Sequence, residues 1–244
     1  MDSFVFWTIA TDEKSMNDAL DIKKKLSSYG YNDFYIITNI DMGENYILYN
    51  KSLNVDNVLY KLYYLNFIKN KLDYEYYIFI DNKSKINYKP DIEKYLKHSF
   101  FSILDFKLNN EDNEHFEWNG YPIISIYDLM KDRGILLDDI YTANSNIFIC
   151  RKSLVEQVIS ISSNFNSYLV KNGFIVNESI IFAYLVQLFI INNSKFLSEN
   201  NKEFYGNGNG EKILFFNPLT NKTEYEYNPA ITVMDENYEP NNYK

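Results

Sequence analysis

The sequence predicts one α/β domain, a mixed, mostly parallel sheet flanked by helices. Two patterns predict it. The first is a β-α-β unit at the start of the chain: an apolar run over residues 4–11, an amphipathic stretch over 12–29, then a second apolar run over 34–38. The second is Tyr77-Ile78-Phe79-Ile80-Asp81-Asn82-Lys83, an apolar run that stops at an aspartate. A buried strand of an α/β sheet reads this way when it delivers a carboxylate to the carboxyl edge, where ligands bind. The preceding segment, 60–72, reads as a helix, so the two make half of a second βαβ unit.

The remaining elements follow in order. In the 12–29 helix, Met16, Ala19, Ile22 and Leu26 share one face, Lys23 to Lys25 are largely solvated, and Gly30 takes the C-terminal cap. Residues 53–72 read as mostly helical and 76–80 as the third strong strand. A short helix is expected over 91–98 after Pro90, and a strand over 100–106. Residues 108–120 are polar and acidic, which predicts a surface loop or hairpin. Residues 141–151 form a strand whose buried part is Ile147, Phe148, Ile149 and Cys150. Ser153-Leu154-Val155-Glu156 has the Ser-x-x-Glu pattern of a capping box, opening a helix with Leu154, Val158, Ile161, Phe165 and Leu169 on its apolar stripe. Residues 178–191 are almost all apolar and predict a buried helix. Residues 200–210 are polar and glycine-bearing, a mobile loop by composition. A hairpin is expected from 212–216 and 223–227 around Asn217-Pro218. The domain is assigned to 1–234 and a polar tail to 235–244.

At 244 residues the chain has the size of one domain, and 46% hydrophobic with 23% charged residues is ordinary for a soluble protein. Aromatic residues reach 18%, with Tyr 23. Tyrosine rings can wall a sugar or base site. Asn, Lys, Ile and Phe are abundant too, which is the coding style of an AT-rich bacterium, phage or large DNA virus, and that bias accounts for most of the tyrosines. A net charge of -9 argues against general nucleic-acid binding. It leaves open a nucleotide held by a few well-placed groups. Cys150 is the only cysteine, so no internal disulfide forms and a reducing compartment is expected. The start of the chain lacks a signal-peptide pattern, and the apolar run 179–191 is shorter than the roughly 20 residues a membrane span needs. A cytoplasmic protein without a membrane span is expected.

Four segments carry chemistry. In Thr8-Ile9-Ala10-Thr11-Asp12, small residues at a strand end leave room for a flat base, with Thr8 and Ala10 lining it. Asp12 either accepts a hydrogen bond from base or ribose or simply caps the next helix. Lys61, on the helix before the third strand, either neutralises phosphate or is solvated like most helix lysines. Asp81 is half of a paired-carboxylate cation site. Lys83, two residues on, either sets a fixed positive charge where the metal would sit or is a plain turn residue. In Asn144-Ser145-Asn146, small and amide groups suit close approach of a sugar. Asn177-Glu178 opens the apolar helix, where a carboxylate is a dipole partner or a catalytic group. No Gly-x-Gly-x-x-Gly or P-loop is present. His98 and His115 lack zinc spacing, and no nucleophile elbow is visible.

In this order the motifs resemble the GT-A-fold glycosyltransferases, most closely the glycogenin-like and galactosyltransferase-like retaining group. That group has a first strand reading Thr-x-Ala-Thr-Asp, here Thr8 to Asp12. It has a Lys-Leu helix leading to Asp-x-Asp, here Lys61-Leu62 and Asp81-Asn82-Lys83. An Asn-x-Gly strand ending in Arg follows, here Asn144 to Arg151, and then a polar pair opening a helix, here Asn177-Glu178. The resemblance spans residues 3–190. It implies a GT-A-like, Rossmann-like domain that moves a sugar from a nucleotide-sugar donor, such as a UDP-sugar, to a hydroxyl on a glycan or protein acceptor. It further implies that Thr8, Ala10 and Asp12 hold the nucleotide. Lys61, Asp81 and Asn82 face the diphosphate and sugar, Asn144 and Ser145 touch the donor sugar, and Asn177 or Glu178 lies beside the reacting carbon or binds the acceptor. The group's cofactor is Mn²⁺ or Mg²⁺, for which Asp81 is the candidate ligand.

Three departures qualify it. Asp-x-Asp has become Asp81-Asn82-Lys83, the family glycine has become Asn146, and the C-terminal His-x-x-Gly-x-x-Lys-Pro segment has no counterpart. The sequence therefore leaves two routes to transfer, one with Mn²⁺ or Mg²⁺ on Asp81 and one that is metal-independent with Lys83 in place of the cation, beside the alternative of an inactive nucleotide-sugar-binding or structural module on the same scaffold. A nucleotidyltransferase is disfavoured, because the glycine-rich basic loop it needs after the first strand is missing.

Overall fold

A computed structural model describes residues 3–96, 100–108, 117–118, 121–135, 140–190, 204–208, 213–217, 222–227 and 231–234. The first half contains β1 (Phe4–Ala10), α1 (Glu13–Ser28), β2 (Phe34–Thr38), β3 (Ile47–Tyr49), α2 (Tyr60–Lys69), β4 (Tyr76–Ile80), β5 (Ser84–Ile86), α3 (Glu93–Leu96) and β6 (Phe100–Leu108). The second half contains the short pair β7 (Glu117–Trp118) and β8 (Tyr121–Pro122), then α4 (Ile123–Asp132), β9 (Ile140–Arg151), α5 (Val155–Lys171) and α6 (Glu178–Ile190). It ends with β10 (Phe204–Gly208), β11 (Ile213–Asn217), β12 (Lys222–Tyr227) and β13 (Ile231–Met234).

The central sheet has the order β3-β2-β1-β4-β9-β6. Neighbours from β3 to β4 are parallel, and β9 alone runs against the rest, antiparallel to both β4 and β6. The chain steps from β1 to β2 and β3 in one direction, then returns to β4 on the far side of β1. Right-handed crossovers in opposite directions put α1 and α2 on opposite faces of the sheet. The carboxyl ends of β1 and β4 are therefore the topological switch point, where ligands of open α/β sheets bind. Pairing of β1 with β4 runs from Phe4↔Tyr76 to Trp7↔Phe79 and stops there, while β4 stays paired to β9 as far as Ile80↔Ile147. The two central strands part, and a crevice opens between their ends.

Aromatic packing fixes this frame on the α6 side. Phe79 stacks on Phe148 at 5.2 Å, Trp7 meets Phe79 edge-on at 4.8 Å, and Phe148 reaches Phe182 of α6 at 5.2 Å. Residues 180–186 are buried around the whole helix circumference, as their apolar sequence requires. Cys150 is buried in β9, and burial pushes its thiol pKa up, which leaves it unreactive.

Several expectations need correction. The helix expected over 53–72 starts only at Tyr60. Asn54 Oδ1 accepts from Asp56 N at 2.7 Å and Asn57 Oδ1 accepts from Leu59 N at 2.8 Å, and such local turns compete with helix. The capping box at Ser153 does not form. A 3₁₀ turn over Lys152–Leu154 delays α5 to Val155, its cap is Leu154 with no side-chain bond, and Glu156 pairs with Lys69 at 2.7 Å instead. The buried stripe of α5 keeps the expected Val158, Phe165 and Leu169, while Val155 and Ser162 take the places expected for Leu154 and Ile161. Where a mobile loop was expected over 200–210, Phe204–Gly208 forms β10, parallel to β13, which itself pairs with β5. Strands β3, β5 and β13 and helix α4 were not anticipated. The tail 235–244, His98 and His115 lie outside the described residues.

Candidate functional site

The crevice is organised by a lysine that the sequence places on the wrong face for a solvated residue. Along α2, Lys61, Leu62, Tyr64, Leu65 and Ile68 form the buried stripe. Lys61 is 2% exposed, and its ammonium meets three close acceptors: Ser145 Oγ at 3.0 Å, Asn146 Oδ1 at 3.2 Å and Glu178 Oε2 at 3.0 Å. An ammonium has three N–H donors, so all are satisfied. The Ser145 carbonyl lies at 3.4 Å and Asp81 Oδ2 at 4.0 Å. Burial alone lowers the Lys61 pKa. The Glu178 carboxylate, and then Tyr60 and Asp81, raise it by more, so the net shift is upward and Lys61 stays charged. Beside it the Tyr60 hydroxyl is pushed up to about 12, chiefly by burial.

Each partner arrives from a different element. Asp81 is delivered by the end of β4, and its backbone N donates to Asn146 O at 2.8 Å. Ser145 and Asn146 come from a bulge in β9. The β6 register jumps from Ser102↔Phe148 to Ile103↔Asn144, and bulges of this kind re-aim side chains next to active sites. Glu178 comes from the first turn of α6, where the helix dipole favours a carboxylate. Its Oε1 is buried and has no hydrogen-bond partner among the described residues. Asn177 caps that helix, its Oδ1 accepting from Ile180 N at 2.9 Å.

The turn after β4 divides its three residues. Asp81 Oδ2 faces Lys61, and its Oδ1 accepts from Lys83 N at 3.0 Å. Asn82 Nδ2 donates to Ile9 O at 2.8 Å, bridging the parted ends of β1 and β4. The Lys83 side chain is exposed and lines a groove against α1. Asp12 sits in a full capping box with Ser15, its Oδ1 accepting from Ser15 N at 2.7 Å, and that bond holds its carboxyl below the usual range. It remains exposed at the crevice rim. Thr8 and Ala10 are fully buried in β1, with exposure beginning at Thr11, and Thr8 Oγ1 has no hydrogen-bond partner among the described residues. Asn144 pairs through β9 with Ile103. The structure thus joins Lys61, Asp81, Ser145 and Glu178 in one cluster and leaves Asp12, Asn82 and Lys83 at its margins. Asn146, read from the sequence only as a glycine replacement, is a direct Lys61 ligand.

These residues do not fit a divalent cation. Among the described residues no group of three His, Cys, Asp or Glu side chains converges. The position two after Asp81 is a lysine, and the space beside Asp81 Oδ2 faces the Lys61 ammonium.

The fold is GT-A-like, an open, mostly parallel sheet with its polar cluster at the β1/β4 switch point. Among solved structures, the chain is similar to the galactosyltransferase LgtC in complex with donor and acceptor sugar analogs, with a TM-score of 0.51, 9% identity, and 96% of this chain and 88% of that chain covered. An active-site mutant of LgtC aligns at 0.52, with 10% identity and the same 96% and 88% coverage. A glycosyltransferase involved in the glycosylation of the major capsid of PBCV-1 aligns at 0.43, with 11% identity over 84% of each chain. No protein-family model and no curated protein matches the sequence. No helix among the described residues is long and apolar enough to cross a membrane.

Proposed function

We propose that the chain is a glycosyltransferase that moves a sugar from a nucleotide-diphosphate donor to a hydroxyl of a glycan or protein acceptor. The observation that carries this reading is the buried Lys61 ammonium at the switch point, its three donors met by Ser145, Asn146 and Glu178, together with a fold shared with a galactosyltransferase bound to donor and acceptor sugar analogs. In this reading Asp12 and Asn82, beside the carboxyl ends of β1 and β4, hold the nucleotide. Asp81 and Glu178 carry two carboxylates around one ammonium, which leaves net negative charge beside the sugar. Glu178 Oε1, without a hydrogen-bond partner among the described residues, can accept from a sugar hydroxyl or stabilise positive charge developing at the anomeric carbon.

The transfer is metal-independent in this reading. Lys83, exposed at the tip of the turn, offers its flexible ammonium to the departing diphosphate as a fixed-charge substitute for a cation. Asn144, Ser145 and Asn177 shape the sugar side of the site. A thermal-shift screen of nucleotide sugars, with and without Mn²⁺, tests the binding half of the proposal. Stabilisation by at least one of them in EDTA is expected. The replacement of the second carboxylate by Lys83 also suits a non-catalytic binding module, which would bind a donor yet never turn it over.

A further inference from the structure

A second feature of the crevice lies on the opposite face of the sheet from Lys61. A groove of about 750 Å³ runs between α1 and β5 and opens at Asn82 and Lys83. On the helix wall it spans Lys14 to Ser28, about 21 Å at 1.5 Å per residue. Its charge is opposite to that of the molecule. In a chain of net charge -9, the lining holds Lys14, Lys24 and Lys25 on α1 with Lys83 and Lys85 on the facing wall, against two carboxylates, Asp18 and Asp21. Among the described residues Lys24 and Lys85, one on each wall, form no ion pair, so their charge is available to a ligand.

We infer that this groove holds an acidic glycan, a hydroxylated chain bearing carboxylates. Lysines on both walls pair with the carboxylates. Asp18 and Asp21 accept hydrogen bonds from hydroxyls, which a bare phosphate polymer does not offer. The lining contains no aromatic side chain on which a base could stack, which sets single-stranded nucleic acid aside. Because the groove ends at Asn82 and Lys83, a glycan lying in it has one end at the crevice. On the transfer reading above, that chain is the acceptor.

Binding of a short oligogalacturonate at low salt tests the assignment, with a malto-oligosaccharide of the same length as neutral control and an oligothymidylate as nucleic-acid control. The variant is the pair Lys24→Glu and Lys85→Glu, both exposed and outside the Lys61 cluster. The wild type is expected to bind the acidic chain and not the neutral one, more weakly as salt rises. The double variant is expected to weaken that binding by about tenfold or more, while Lys24→Arg with Lys85→Arg retains it. Wild-type affinity in the double Glu variant, equal binding of the neutral chain, or tighter binding of the oligothymidylate overturns the assignment. Nucleotide-sugar binding by the same proteins separates the two claims. A protein that binds the acidic chain and no nucleotide sugar keeps the groove and loses the transfer reading, and the reverse result removes the groove alone.

Discussion

Replacing Lys61 by Met removes the ammonium at the centre of the cluster while keeping an unbranched, apolar stem out to the ε position. Ser145 Oγ and Asn146 Oδ1 each lose a donor, and the Glu178 and Asp81 carboxylates lose the ammonium that both face. Breaking a buried ion pair from one side costs about 3–5 kcal/mol. With a urea m-value of about 3 kcal/mol per M, at the upper end for small proteins, the midpoint falls by roughly 1–2 M. Adding Glu178→Gln removes a stranded charge and should recover part of the loss. The pH dependence has a fixed sign. The folded pKa of Lys61 is raised, so its contribution is fully present below the unfolded value of about 10.4 and is lost only as pH rises beyond it. The difference between wild type and Lys61→Met should therefore be constant between about pH 7 and 9 and shrink above about 10.5. Urea titrations across that range check both parts. A loss of less than about 1 kcal/mol at neutral pH, the level of an exposed pair, would refute the central role given to Lys61.

Other substitutions separate scaffold from site. Asn177→Ala should cost about 1 kcal/mol through the lost α6 cap, and Asn177→Ser should retain most of it, by urea denaturation. Phe148→Ala empties the stack between Phe79 and Phe182 and should cost about 3–5 kcal/mol, with a changed near-ultraviolet circular dichroism spectrum. Asp12→Asn keeps a capping oxygen, so the melting temperature should hold. Nucleotide-sugar affinity, measured by calorimetry, should fall, because the carboxylate oxygen not used in the cap becomes an amide donor.

Much of the frame was legible because its strands are continuous apolar runs. β2 and β4 match their expected bounds, and Asp81 falls at the carboxyl edge where the run predicted it. Short or edge elements carried too little periodicity, as with the three residues of β3 and of β5. α4 did have a signal, the spacing of Ile126, Leu129 and Met130, all of them buried. In the site, Lys61 was visible as a lysine in an apolar helix, and its i+4 and i+7 neighbours Leu65 and Ile68 marked the buried face. The roles of Ser145 and Asn146 as its ligands depend on a bulge in β9, a property of strand pairing that no local pattern records. The split of Asp81 and Lys83 onto different sides of the crevice is likewise a matter of turn geometry, set by the Asp81 side chain accepting from Lys83 N.

The central claim is sugar transfer that draws its cationic assistance from lysine. It is tested most directly by release of nucleoside diphosphate from a panel of nucleotide sugars, in EDTA and in Mn²⁺, with wild type, Lys83→Arg and Lys83→Ala compared. Turnover of at least one donor in EDTA is expected, retained by Lys83→Arg and reduced by about 100-fold in Lys83→Ala. Turnover abolished by EDTA and restored by Mn²⁺, or no turnover of any donor under either condition, would contradict it.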